Sequence, residues 1–224
     1  MNKIISMFVL LFASINANAG ILLDSGAPSF DSDMCVAQGC EGAKKWSVIS
    51  GFTASSDWNI TGFEFFAFDY NSIGTSSYLS TSWKIFADPS TSGTLSSISG
   101  LGTLVSEGTT NGSATQSQFT TIYGDIIDVT SFLISGLDLE LDSGNYFLVQ
   151  HHDFSESANF TVAASEENST FYNTDFAGTF NSNNTGVAQK IFGKVSSIPE
   201  PASIALFGMG LLGLGWSRKK KQSK

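Results

Sequence analysis

The sequence predicts an all-β protein, an antiparallel β-sandwich of the jelly-roll type. Apolar and polar residues alternate over segments of strand length, and turn-forming residues separate these segments. No window inside the body of the chain shows a helical period. Many short strands without helices are typical of a sandwich or jelly roll, and a body of roughly 180 residues suits one such domain.

The most apolar internal segment is predicted to be a central strand. Residues 58–70 place Phe63 and Phe65 on one face, and Phe66 and Phe68 on the other. A strand with two apolar faces is buried on both sides, as in the middle of a packed sheet. Residues 83–87 form another strand, which Asp88-Pro89 ends.

A second pattern predicts a strand with one face in water. Three leucines alternate with three acids over residues 137–142, a turn follows at 142–145, and residues 146–150 form a more buried strand. Further predicted strands are residues 45–53, 119–123, 126–130, 160–164 and 187–195. No internal repeat is visible, which disfavours a solenoid or propeller.

The first 19 residues read as a secretory signal peptide. Lys3 supplies the positive charge, residues 4–15 form the apolar region, and Ala17-Asn18-Ala19 is a small-x-small cleavage site. The mature chain is predicted to start at Gly20. An apolar stretch of 12 residues is about 18 Å long as a helix, too short to span a hydrocarbon core of about 30 Å.

The C-terminal residues have three parts in a fixed order. Pro199-Glu200-Pro201 comes first, an apolar glycine-rich stretch covers residues 204–216, and a basic cluster follows. The cluster consists of Arg218, Lys219, Lys220 and Lys221. An apolar run next to positive charges predicts a short transmembrane helix with a cytoplasmic end. Thirteen residues are few for a stable span, which favours a transient anchor.

This tripartite end resembles the PEP-CTERM sorting signal of Gram-negative bacteria. The resemblance implies recognition by an exosortase, a membrane protease that acts near Pro199-Glu200-Pro201, and then release or re-attachment at the cell surface. It also implies an association with exopolysaccharide and biofilm. Residues 45–152 loosely resemble a β-sandwich body that accompanies such signals. The predicted domains are therefore 1–19, 20–198 and 199–224. An ordinary tail anchor is the alternative.

The negative net charge limits the classes of molecule that the protein can bind. Only 14% of the residues are charged, and the net charge is -9. Residues 20–198 hold 19 acids against five lysines, or -14. Nucleic acid is excluded as a partner, because it requires clustered Lys and Arg. An acidic surface rich in Ser and Thr is typical of an exported protein that self-repulsion keeps soluble.

The two cysteines are predicted to form a disulfide. Four residues separate Cys35 from Cys40, and no third cysteine or nearby histidine could complete a zinc site. The spacing is not that of a C-x-x-C redox pair. In an oxidising envelope, a local disulfide is expected, with a modest stabilisation of about 2 kcal/mol.

Few residues suggest catalysis. The only histidines, His151 and His152, are adjacent in the sequence. On a strand, adjacent side chains point to opposite faces, so His151 shares a face with Asp153 and not with His152. We interpret both histidines as solvent-facing residues at a strand end. Glu64 lies among phenylalanines; it is either a buried general acid or, as we favour, an edge residue that reaches water. No nucleophile motif is present, and we expect no enzymatic activity.

Metal and glycan sites are the remaining candidates. Asp24, Asp31 and Asp33 supply oxygen atoms in a segment rich in Gly and Ser, which makes structural calcium a weak candidate and the only candidate cofactor. Trp46, Trp58 and Trp83 are candidate platforms for stacking on sugars, although most aromatic residues at strand spacing are core.

Three functions from different classes follow from these observations. The first is a surface or matrix protein with a non-catalytic sandwich that binds exopolysaccharide. The second is a structural or adhesive envelope protein, and the third is a secreted glycan hydrolase. All three place residues 20–198 outside the inner membrane.

Overall fold

The computed structural model confirms the all-β class. It describes residues 20–28, 30–37, 45–69, 74–88, 95–120, 126–155, 160–165, 170–177, 179–183 and 186–196. These residues form two antiparallel sheets, and one 3-10 turn is the only helical element among them. The predicted signal peptide and the predicted C-terminal span lie outside the described residues.

The strands divide between an eight-stranded sheet and a six-stranded sheet. The eight-stranded sheet contains β1 (Gly20–Asp24), β2 (Phe30–Cys35), β4 (Trp58–Asp69), β7 (Ser113–Thr120), β8 (Ile126–Leu141), β10 (Phe160–Ser165), β13 (Gly186–Val187) and β14 (Gln189–Val195). The six-stranded sheet contains β3 (Ser47–Ala54), β5 (Tyr78–Ala87), β6 (Thr103–Thr110), β9 (Gly144–Phe154), β11 (Phe171–Thr174) and β12 (Phe180–Asn183).

Strand β4 is central, as the two-faced apolar pattern predicts. It pairs with β8 along one edge and with β14 and then β10 along the other. Phe63 and Phe65 are fully buried between the two sheets, whereas Phe68 packs in a smaller cluster on the outer side. In the six-stranded sheet, β9 lies between β3 and β5, so it is the central strand there.

The inner faces of the two sheets share one hydrophobic core. Phe63 of β4 and Trp83 of β5 lie on opposite sheets, and their ring centroids are 5.5 Å apart. On the outer side of the six-stranded sheet, the segment that contains Leu95 and Leu101 covers Phe147 and Tyr172. The backbone N–H of Leu95 donates to the Tyr172 hydroxyl over 2.6 Å, and this hydrogen bond holds the segment against the sheet.

A paired irregularity interrupts β4 and β8. The register shifts between Ile60 and Gly62 of β4, and Gly136 of β8 has a φ of 78°. The core-facing positions of β8 are even-numbered before Gly136 (Phe132, Ile134) and odd-numbered after it (Leu137, Leu139, Leu141). A bulge changes which face a residue occupies, so both parts of the strand keep their apolar side toward the core.

Several strand boundaries differ from those predicted. The predicted strands 126–130 and 137–141 are one strand, β8, and the predicted strand 119–123 is replaced by β7, which begins at Ser113. Strands β1, β2, β6, β11 and β12 were not predicted. Their sequences show little apolar alternation, since most residues of β6 are exposed and β11 and β12 have only four residues each.

Candidate functional site

Strand β9 presents its two histidines on opposite faces, as predicted. Its even-numbered residues, including Leu148, face the shared core, and its odd-numbered residues, including Val149, face the outer side. His152 therefore points inward and His151 outward. Both side chains are nevertheless buried, with 0% and 7% of their surface exposed. The interpretation of solvent-facing histidines at a strand end is thus wrong, because β9 continues to Phe154, paired with β5 on one side and bridged to Ala37 at His152 on the other.

The outward ring of His151 has partners at both nitrogens. Nδ1 lies 2.6 Å from the Trp46 carbonyl oxygen, and Nε2 lies 3.2 Å from Asp153 Oδ1. A carbonyl only accepts, so Nδ1 donates. These two contacts fix the orientation of the imidazole.

Asp153 connects His151 to the solvent. Lys45 Nζ lies 3.6 Å from Asp153 Oδ1, and Ser80 Oγ donates to Oδ2 over 3.5 Å. The lysine side chain is 64% exposed, and the aspartate side chain is 23% exposed. Exposed ion pairs contribute little to stability, typically below about 1 kcal/mol. The carboxylate therefore acts mainly by orienting the imidazole.

The inward ring of His152 belongs to the aromatic core. Its centroid lies 3.8 Å from that of Phe132, and the rings are stacked. Nδ1 hydrogen-bonds with Thr81 Oγ1 at 2.8 Å, and that hydroxyl also bonds with the Tyr78 hydroxyl at 2.9 Å. Burial, and secondarily the charge of His151, holds the pKa of His152 well below its ordinary value of 6.5. His152 is therefore neutral at physiological pH.

The arrangement of the two histidines supports positioning and packing. A general base needs a ring nitrogen that a substrate can reach. Both nitrogens of His151 have protein partners, and His152 is enclosed. Their hydrogen bonds therefore hold neighbouring segments together. His151 connects β9 to Trp46, the residue before β3, and His152 connects β9 to Thr81 of β5.

The structure buries all three tryptophans that were predicted as candidate glycan platforms. Trp46, Trp58 and Trp83 expose 3%, 4% and 4% of their surface. Trp58 stacks on Phe52, and Trp83 packs against Phe63 in the core. A ring that other rings cover offers no free face to a sugar.

Glu64 lies on the outer side of β4, partly exposed. It accepts a hydrogen bond from Ser131 Oγ at 2.7 Å, and Lys190 Nζ lies 3.3 Å from its other oxygen. The same ammonium lies 5.3 Å from the centroid of the Phe66 ring. The strand alternation places Phe63 and Phe65 on the other face, so Glu64 is not a buried general acid among phenylalanines.

The calcium candidates are not brought together in the described residues. Asp24 is exposed and accepts a hydrogen bond from Gly26 N at 3.0 Å. Asp31 and Asp33 belong to β2, and their side chains lie outside the described part. Within that part, no group of three His, Cys, Asp or Glu residues could hold a metal ion. Structural calcium stays a prediction.

Cys35 ends β2 beside a connection between the two sheets. Cys35 is disulfide-bonded, and Cys40 lies outside the described residues, so their pairing stays a prediction. Asn173 Nδ2 donates to the Cys35 and Ser47 carbonyl oxygens. The next residue, Val36, donates to Phe160 O and accepts from His152 N, each at 3.0 Å.

Asn173 is a structural residue that sequence reasoning missed. It is 3% exposed, and it joins the end of β2 to the start of β3 through its amide. The chain has many asparagines in Ser/Thr-rich surroundings. No local pattern distinguishes this one, because its partners are more than 120 residues away.

The C-terminal residues that follow the body match a known family model. The last described strand, β14, ends at Val195, and Ser196 N donates to Asp57 O at 2.8 Å. Residues 197–219 match the model of the PEP-CTERM protein-sorting motif. The chain carries a PEP-CTERM sorting signal. This signal indicates an exported protein that an exosortase sorts at the membrane. Among curated proteins, none matches the sequence.

The match confirms the predicted resemblance of the C-terminal residues to a PEP-CTERM sorting signal. It encloses Pro199, Glu200, Pro201, Arg218 and Lys219; the last two bases of the predicted cluster, Lys220 and Lys221, follow it. All of these residues lie outside the described ranges. Within those ranges, no helix has the length and apolar character that a membrane crossing requires.

Proposed function

We propose that this PEP-CTERM protein is an exported envelope protein whose body is a non-catalytic β-sandwich with a structural or adhesive role. The observation that carries the proposal is the sorting motif at residues 197–219, which begins one residue after the last described residue of the sandwich. An exosortase is the partner that this motif implies. The proposed final location is the cell surface or the extracellular matrix.

The interior of the body supports a structural role. Both histidines and all three described candidate tryptophans are used in packing or in hydrogen bonds between strands. The described exposed strands offer mainly Ser, Thr, Asn and Gln side chains. Such a surface suits a soluble scaffold more than a catalytic cleft.

Contact with exopolysaccharide is the second candidate. The hydroxyl and amide groups of β7 and β12 favour it, since neutral sugars are bound through hydrogen bonds as well as stacking. Binding to such a flat surface would be weak at each site. Incubating the exported protein with the native matrix polysaccharide tests this function: co-sedimentation supports binding, and release of reducing ends supports the hydrolase alternative instead.

A substitution in the motif tests the sorting function. In the producing cell, Glu200→Ala should leave the protein in the inner-membrane fraction, because the protease loses its recognition motif. Glu140→Ala is the matched control, since Glu140 is an exposed acid on β8. Fractionation followed by immunoblotting measures both variants. Surface release of Glu200→Ala at the level of the control would contradict exosortase sorting and favour a plain tail anchor.

A further inference from the structure

We infer that the sandwich binds a calcium ion at the end where β4 finishes. Strands β7, β8 and β4 are neighbours in the eight-stranded sheet. At this end, each of them carries oxygen-bearing side chains next to apolar residues of the shared core. The candidate ligands are Asp69 of β4, Asp128 and Thr130 of β8, and Gln116 of β7.

The strand register places these side chains on one face. Thr130 pairs with Ala67 on one side and with Gln116 on the other. Ala67 belongs to the shared core, so this row of residues faces inward. Asp69 is two residues from Ala67, and Asp128 is two residues from Thr130, so both also face inward. They are the next positions of β4 and β8 after the last paired residues, which puts two carboxylates on neighbouring strands.

Three oxygen atoms at this end are buried and have no hydrogen-bond partner in the described part of the chain. They are Asp69 Oδ1, Thr130 Oγ1 and Ser77 Oγ, in residues that are 7%, 0% and 3% exposed. The other oxygen of Asp69 accepts a hydrogen bond from the backbone N–H of Gly74 over 2.8 Å. A Cβ atom at Gly74 would lie 3.8 Å from Gln116 Oε1. The chain at Gly74 therefore reaches from β4 to β7 across the inner side of β8.

The charges of this region identify the ligand as a cation. A carboxylate oxygen that is buried without a partner is unstable unless a hydrogen-bond donor or a positive charge reaches it. Of the four described lysines, three form ion pairs with other acids, and Lys194 lies opposite Asn59 near the other end of β4. Like charges on neighbouring strands also destabilise a sheet. A divalent cation would balance both carboxylates.

The ligand atoms favour Ca²⁺ among divalent cations. Carboxylate, hydroxyl and amide oxygens are hard ligands, and Ca²⁺ accepts about six to eight of them in irregular arrangements, whereas Mg²⁺ requires a nearly octahedral one. With two acids and several neutral oxygens, this set differs from a group of three His, Cys, Asp or Glu residues, which the described ranges do not contain. It does not include Asp24, Asp31 or Asp33. The ion would join three strands to the segment that begins at Gly74, so the stability of the exported body would depend on calcium.

Calcium titration of the exported protein tests the site. The protein, purified from the producing cells and freed of metal with EDTA, should bind Ca²⁺ in isothermal titration calorimetry with a dissociation constant of about 0.1–1 mM, as extracellular modules do. Asp69→Asn should raise this constant at least about tenfold, because the ion loses a charged ligand while the amide oxygen still accepts from Gly74. Glu140→Gln is the matched control, since Glu140 is an exposed acid near the other end of β8 and the net charge changes equally.

Two further measurements keep the test decisive. Thermal unfolding confirms that the variants fold; if Asp69→Asn does not, Thr130→Val replaces it, because valine keeps the shape of the side chain and removes the oxygen. CaCl₂ should raise the Tm of the unsubstituted protein more than MgCl₂ at the same concentration, since both salts screen charge equally. Equal Tm shifts with the two salts, or equal dissociation constants for the site variant and Glu140→Gln, would overturn the proposal.

Discussion

His152 shows how a strand position decides the chemistry of a side chain. Its neighbour His151 has the same side chain, but the strand places that ring among polar groups near the surface. His152 is instead stacked on Phe132, in surroundings that do not stabilise a charged imidazolium. The folded protein therefore resists protonation of this residue.

Acidification should destabilise the fold through His152. In the unfolded chain, the imidazole binds a proton near its ordinary pKa of about 6.5, whereas the folded protein does not. Below that pH, the unfolded state binds more protons, so the free energy of unfolding falls by up to about 1.4 kcal/mol per pH unit. His152→Phe should remove this contribution between pH 6.5 and 5. Urea unfolding at a series of pH values measures the slope.

His151→Gln is the control for this slope, because it removes the other histidine and leaves the buried one. It should retain most of the decline that His152→Phe loses. Equal slopes in the unsubstituted protein and in His152→Phe would show that burial does not govern the protonation of this ring.

The residue scale also shows where sequence reasoning ends. Alternation was sufficient to place the two histidines on opposite faces and Asp153 beside His151. Burial could not be predicted, because it depends on strands β3 and β5 and on Val36, which are distant in the sequence. The burial of the tryptophans could not be predicted either, because their spacing along the strands is equally compatible with an exposed sugar-binding platform and with a core.

At the scale of elements, the pairing of β4 with β8 depends on a close contact between their backbones. A Cβ atom at Gly62 would lie 2.4 Å from Ile134 O, which is a rigid backbone atom. The contact occurs at the register shift that exchanges inner and outer residues. Glycine is therefore required by space at this position.

Gly62→Ala should lower the free energy of unfolding by roughly 2–3 kcal/mol, because the two backbones must separate. Gly51→Ala is the matched control, since its Cβ would have its nearest contact at 3.7 Å, with Phe147. That substitution should change stability by less than about 0.5 kcal/mol, or increase it slightly. Chemical denaturation measures both variants. Equal stability would contradict the close approach.

Strongly patterned strands could be predicted, and weakly patterned ones could not. Strand β4 and the leucine-acid half of β8 follow their sequence patterns closely. The two halves of β8 looked like separate strands, because the bulge at Gly136 breaks the alternation. Edge strand β6 escaped prediction for another reason: most of its residues are exposed, so it needs no apolar alternation.

At the scale of the whole molecule, negative charge opposes folding. The body carries 19 acids and five lysines, and only three described lysines, Lys45, Lys84 and Lys190, pair with acids. The remaining acidic charge repels itself in the compact state. The sequence predicted this excess, whereas the positions of the ion pairs required the structure.

Salt should therefore stabilise the exported protein. Raising NaCl from about 10 mM to about 150 mM shortens the screening length from about 30 Å to about 8 Å. We expect the Tm to rise, and each ~1 kcal/mol gained corresponds to roughly 2–4 °C for a protein of this size. Scanning calorimetry at pH 7 measures the shift. Repeating the series near pH 4, where many carboxylates are protonated, should give a smaller rise; equal rises at both values would contradict a charge origin.

Strand β14 also determines how the protein responds to mechanical force. It lies between β1 and β4, with Gly20 opposite Gly193, and the sorting motif begins two residues after its end at Val195. Whatever holds the chain through that motif pulls β14 along its own axis. The hydrogen bonds to both neighbouring strands then share the force in shear, since they lie perpendicular to the strand. A pulling force would have to break both ladders together before β14 left the sheet.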